Sequence, residues 1–222
     1  MKLFYKMHAY LIKRALNRRK AQQQAQAPPL IKAILERDID CLKRLLELGE
    51  DPNCLFYGDY PAWILTASYA DTALIVAVQE RYLEAIMALL HHGANVNYLS
   101  ARANSALIEA IIDNQAQTVP LLLEHGADAN LALDGEDTPL IHAVRTGNMG
   151  LVETLLSAGA NPNAAGFDGA TPLMDAAERN FYKIAETLLG AGADKSQTDS
   201  GGHTAWWWAN EHNHLEIARL LL

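Results

Sequence analysis

Glu109, His142 and Asp175 stand 33 residues apart, each directly before an alanine. An imidazole set between two carboxylates is the raw material of proton transfer, or of a charge that changes near neutral pH. Catalysis asks for more than that: a nucleophile beside its base, and donors aimed at a developing negative charge. No such constellation accompanies the row, so no catalytic residue and no enzymatic activity is expected. The position continues forward to Trp208 and back to Val76 and Lys32. The polar part of the row reads as a contact stripe for a partner, as a carboxylate-held histidine that responds to pH, or as half-exposed residues satisfying local hydrogen bonds.

His203, His212 and His214 invite a metal reading, yet they lack the i, i+4 pairing or the cysteines of a strong zinc site, so no metal and no cofactor is expected. Cys41 and Cys54 are 13 residues apart, a separation that matches neither a zinc nor a redox motif. Free thiols suit a reducing compartment, and the expected location is the cytoplasm.

The elements that carry these residues are legible from composition and period. The chain has 222 residues, half of them hydrophobic and 20% charged, an ordinary balance for a folded protein. No stretch approaches the roughly 18 uncharged apolar residues of a membrane-spanning helix. The formal charge of −8 hides an asymmetry: residues 1–27 hold seven Lys and Arg and no acid, which leaves −15 on residues 28–222. An acidic body argues against nucleic acid as a partner.

Alanines 33, 77, 110, 143, 176 and 209 recur at 44 residues and then at 33, and glycines 49, 93, 126, 159 and 192 do the same. Each period opens on a helix start: Thr72-Ala-Leu74, Ser105-Ala-Leu107, Thr138-Pro139-Leu140, Thr171-Pro172-Leu173 and Thr204-Ala-Trp206. The hydroxyl caps free N–H groups, and proline is tolerated in the first turn, where no N–H is needed. Each period closes on a helix end, as in Leu122-Leu123-Glu-His-Gly126-Ala-Asp128-Ala-Asn130. There a glycine stops the second helix in a left-handed conformation, and Asn or Asp favours the turn that follows.

These motifs resemble the ankyrin repeat family, whose period and Thr-Pro-Leu-His-x-Ala signature they follow over residues 28–222. The resemblance implies an all-α fold, an ankyrin-repeat α-solenoid of helix-turn-helix-loop units at 28–66, 67–99, 100–132, 133–165, 166–198 and 199–222. It also implies a scaffold that binds a partner protein, of unknown identity, on the concave face made by loops and first helices, with no small-molecule substrate. On that scaffold the row of Glu109, His142, Asp175 and Trp208 faces the partner. Tyr69, Arg102, Asp113 and Arg145 are expected to join it from loop tips and helix ends, with Phe167, Arg179 and His212. Across the loop tips and first-helix ends as a whole, where Asp71, Glu80, Asp134, Asp137, Asp168 and Glu211 also fall, acids outnumber bases, which suits a basic or mixed-charge protein surface.

Several features depart from the pattern. The first unit opens on Pro28-Pro29-Leu30 with no capping hydroxyl, and it carries an 11-residue aromatic-rich insertion near residues 54–66. That insertion reads as a contact finger or as a cover for the first unit. In the last unit Trp206 takes the core leucine position, Trp207 is expected against the final helix, and Trp208 either reaches the concave surface or closes the end of the core. Residues 1–27 form a basic amphipathic pattern, with Leu3, Phe4, Met7 and Leu11 on one side. Such a helix either caps the array or makes a peripheral membrane contact, and the second case defines an alternative function, a membrane-associated or host-targeted ankyrin effector located by its N-terminal basic helix.

Overall fold

A computed structural model describes residues 27–57, 70–100 and 103–222, and the chain falls into two compact units that meet between Asn95 and Val96. Among the described residues the architecture is all-α, twelve short helices with one small pair of strands.

The first unit contains α1 (Pro29–Leu35), α2 (Ile39–Glu47), β1 (Leu55–Tyr57), β2 (Ala70–Thr72), α3 (Ala73–Gln79) and α4 (Leu83–His91). The uncapped α1 forms nonetheless: Pro28 supplies no side-chain bond, but Leu30, Ile31 and Ile34 are buried against the following helices. Packing replaces the cap, as it commonly does in helices too short to be stable alone. Arg37 and Tyr82 tie the two helix pairs of this unit together. The Tyr82 hydroxyl donates to the Arg37 carbonyl at 3.1 Å, and the Arg37 guanidinium lies 5.0 Å from the Tyr82 ring while donating to the Glu80 carbonyl. The inserted segment begins as a strand, with β1 antiparallel to β2 and Leu55 opposite Thr72; the residues between these strands lie outside the described ones.

The second unit contains α5 (Ala106–Ile112), α6 (Thr118–Glu124), α7 (Pro139–Thr146), α8 (Met149–Ser157), α9 (Pro172–Glu178), α10 (Tyr182–Gly190), α11 (Ala205–Glu211) and α12 (Leu215–Leu221). The first helices of successive repeats, α5, α7, α9 and α11, pack in a row, and α8, α10 and α12 form the layer behind them. Leu107, Ile108, Leu140, Ile141, Leu173 and Met174 fill the space between.

The expected caps are present. Thr72, Ser105, Thr138, Thr171 and Thr204 each accept from the backbone N–H three residues on, at 3.3–3.4 Å. A cap of this kind contributes about 1 kcal/mol. Gly159, at φ 87°, ends α8 in the left-handed region, and the other period glycines behave alike. A second left-handed position closes the first helix of each pair, at Arg37, Arg81, Asn114, Gly147, Asn180 and Asn213. The sequence marks this position only weakly, because Asn tolerates that conformation and Arg does not advertise it.

Successive repeats of the second unit are also joined by a ladder of asparagines. Asn130 accepts from the Asn161 N–H at 2.7 Å and donates to the Gly159 carbonyl at 3.0 Å; Asn97 and Asn163 repeat both bonds one unit earlier and one unit later. The residue after the tight turn thus satisfies backbone groups that the next turn would otherwise leave to water.

One expectation about the last repeat is corrected. Trp206, placed in the core by its register, is 38% exposed, whereas Leu140 and Leu173 at the same position are buried. In those repeats the first helix of the next repeat covers the side chain, and among the described residues α11 has no such neighbour. The Trp207 ring stacks on His203 at 3.8 Å and meets Trp208 edge-on at 5.1 Å.

The ladder makes a quantitative prediction. Asn130→Ala removes two inter-repeat bonds at an exposed position and is expected to lower the unfolding free energy by about 1 kcal/mol, read from the urea midpoint. Thr138→Ala, which removes the cap of the next repeat, should cost a similar amount, and an Asn130→Ala variant with no shift at all would show that the ladder is ornamental.

Candidate partner-binding surface

Arg145, on the last turn of α7, ties together neighbouring elements of the second unit. Its Nε donates to Asp175 Oδ2 at 2.6 Å, and its terminal nitrogens bond to Asp137. Asp137 in turn accepts from the Phe167 backbone N–H at 3.1 Å. One guanidinium therefore joins the loop before α7, the loop before α9 and α9 itself. Arginine suits this place because its planar fork serves several carboxylate oxygens at once, which an ammonium cannot do with fixed geometry. Burial works against the Arg145 charge, but Asp175 and Asp137 outweigh it and hold the pKa above its ordinary value. Burial also pushes the Asp175 carboxyl upward, and Arg145 opposes that shift without cancelling it.

Beside this clamp lies an open groove of about 580 Å³, lined by Ile112, Asn114, His142, Arg145 and Thr146. Asn114 is itself fixed by a hydrogen bond from Asn148. Ile112 is 47% exposed, and Phe167, at the tip of the loop that Asp137 holds, is 61% exposed. The Phe167 tip is a tight turn, with Asp168 at φ 54° and Gly169 at φ 75°.

The acid–histidine–acid row does not form a bonded chain. Glu109 accepts from Asn104 Nδ2 at 3.0 Å, Asp175 is 5% exposed and committed to Arg145, and among the described residues no hydrogen bond joins either carboxylate to His142. Of the readings open for this row, the carboxylate-held histidine does not form: the neighbouring acids act on His142 through space only. Burial lowers the His142 pKa, against the raising fields of Asp137, Glu109 and Glu136.

The remaining sequence candidates are scattered. Asp113 is half-buried at the end of α5, and Arg179 is exposed at the end of α9. Trp208 is half-buried with its indole N–H donated to Asp199 Oδ2 at 3.0 Å, and the exposed His212 stacks on its ring. Tyr69, Arg102 and the basic segment 1–26 lie outside the described residues. His203, His212 and His214 engage Asp199, the Trp208 carbonyl and the Ala177 carbonyl respectively. Among the described residues no three His, Cys, Asp or Glu side chains are grouped to hold a metal, and no helix is long and apolar enough to cross a membrane. Ile112, Asn114 and Thr146 are groove residues that sequence reasoning missed. A signal for Ile112 existed: its register is filled by Arg145, Glu178 and Glu211 in the later repeats, so an isoleucine there stands out.

The family follows from comparison as well as from geometry. Residues 55–132, 74–166, 107–199 and 166–222 match the family model described as ankyrin repeats (3 copies). The chain belongs to the ankyrin repeat family, whose members are generally non-enzymatic protein-interaction modules. No curated protein matches it. Residues 28–54 precede the family match, yet their helices α1 and α2, the left-handed Gly49 and the bond from the Asn95 N–H to Asn53 Oδ1 follow the same plan.

Two outcomes test this arrangement. Arg145→Met leaves Asp175 buried without a partner and should cost about 2 kcal/mol in urea unfolding, discounted for the exposed part of the arginine; adding Asp175→Asn should recover part of the loss. His142 has a folded pKa below its usual value of about 6.5, so protonation favours the unfolded chain. Its stabilising contribution is complete above that value and is lost as pH falls below it. Melting temperatures at several values between neutral and mildly acidic pH should therefore fall less steeply in His142→Gln than in the native protein.

Proposed function

We propose that the protein is a non-enzymatic interaction module and that its second unit binds a partner protein on the inner, concave face, through the groove beside Arg145 and the Phe167 tip. The observation that carries this reading is an exposed apolar side chain, Ile112, in the wall of a groove whose polar neighbours Asn114 and Arg145 are already fixed by internal bonds, with the exposed Phe167 on a loop tied to Arg145 through Asp137. Binding energy concentrates where apolar anchors sit among pre-ordered groups, because little side-chain entropy remains to be lost. Glu109, Asp113, His142, Arg145 and Arg179 border this face, with Trp208 and His212 on its last repeat. Asp175 serves it by holding Arg145 in place. The free thiols Cys41 and Cys54 support a cytoplasmic location.

Affinity capture from the native cell extract tests the reading, with the intact protein and an Ile112→Ser/Phe167→Ser variant of equal helicity. Both residues are exposed, so the variant should fold. At least one protein retained by the native chain is expected to drop about tenfold with the variant; identical capture profiles would remove the groove from consideration.

A further inference from the structure

Phe167 is 61% exposed, and the loop that carries it is built to keep it there. Gly166 before it is buried, and a Cβ at that position would overlap the Asp137 carboxylate and the Ile141 side chain, so any other residue would displace the group that holds the tip. Asp168 after it sits at φ 54°, a left-handed conformation uncommon outside glycine. The turn is closed by bonds from the Gly166 N–H to the Ala170 carbonyl at 2.9 Å and from the Ala170 N–H to the Phe167 carbonyl at 3.1 Å. It is also tied to both neighbouring loops: the Phe167 N–H donates to Asp137 at 3.1 Å, and the Asp168 carbonyl accepts from the Ser200 N–H at 2.8 Å. The position of Phe167 is taken by Asp134 one repeat earlier and by Ser200 one repeat later, so the stack itself asks for no ring here.

A ring on a convex, internally bonded turn has no wall of its own. It can be buried only by a surface that surrounds it, and an extended segment lying across the tip would cover one side and leave the rest in water. Residues 127–138 and 160–171 contain no Lys or Arg, whereas Asp134, Glu136 and Asp168 are exposed. Among the described residues none of these three carboxylates is paired with a cation. Resting on the binding reading above, we propose that Phe167 inserts into a ring-sized apolar pocket on a folded partner, with Lys or Arg on the pocket rim facing Asp168 and Asp134. A tip bonded on both sides loses little entropy on insertion, so the ring anchors the complex, while the exposed rim pairs set partner choice and encounter rate.

The test uses the full chain carrying the photo-reactive p-benzoylphenylalanine in place of Phe167 or, separately, of Ile112, cross-linked in native cell extract. Cross-linked sites are mapped by mass spectrometry, and the partner so identified is purified and titrated against the native protein, Phe167→Ser, Gly166→Ala and Asp168→Asn, all of equal helicity. Cross-links from position 167 are expected on apolar residues inside a folded domain. The dissociation constant should rise about tenfold with Phe167→Ser and several-fold with Gly166→Ala, which keeps the ring but disturbs the tip, and added salt should weaken the native complex more than that of Asp168→Asn. Cross-links from position 167 to an extended segment, or native affinity in Phe167→Ser, would overturn the pocket, and an equal salt response would overturn its basic rim. If position 112 still cross-links in those cases, the groove remains as the binding site; cross-links from neither position remove both readings.

Discussion

No helix pair in this protein can bury its own leucines. Each has helices of seven to nine residues, too short to persist alone in water, and within each unit a pair presents an apolar face to its neighbour. Stacking is therefore the constraint on which everything else depends. It requires that successive pairs keep one spacing and one orientation, and the 33-residue period is the trace of that requirement. The hydroxyl caps, the left-handed glycines and the asparagine ladder all serve it, because each satisfies backbone groups at a place where a repeat would otherwise fray.

The same constraint explains where function has room. Core positions are committed to neighbours before and behind, so variation is confined to the exposed ends of the first helices and the loops before them. In the second unit that freedom has been used to build an ionic clamp. Arg145 joins residues from two consecutive repeats, and its pairing with two aspartates fixes its guanidinium in the groove wall. Phe167 is held out at the loop tip by the hydrogen bond to Asp137, so the ring that meets solvent is anchored by the same network.

In the repeat at 199–222 a core register position meets solvent. Trp206 occupies a core position by sequence and reaches solvent in the structure, while Trp207 and Trp208 turn to His203, Asp199 and His212 for partners. Aromatic side chains suit such a place because they can bury one face while keeping a polar edge satisfied.

Period, caps, helix ends and family were legible from residue types alone, because each depends on contacts within a few residues or on a repeat that copies itself. The irregular first unit was legible as an irregularity, from Pro28-Pro29 and the eleven extra residues, although its helices form through packing that no local motif announces. The site was read only in part. His142, Arg145 and Phe167 were singled out by position, but residue spacing cannot say which carboxylate a guanidinium will choose, and the acid–histidine–acid row suggested a chain of bonds that does not form. Tertiary structure decided that Arg145 binds Asp137 and Asp175, that Asp175 is buried, and that Ile112 opens onto a groove. The reason is physical: periodicity dictates which side of a helix a residue occupies, whereas ionic pairing and exposure depend on the distance between side chains from different repeats, which only the packed stack sets.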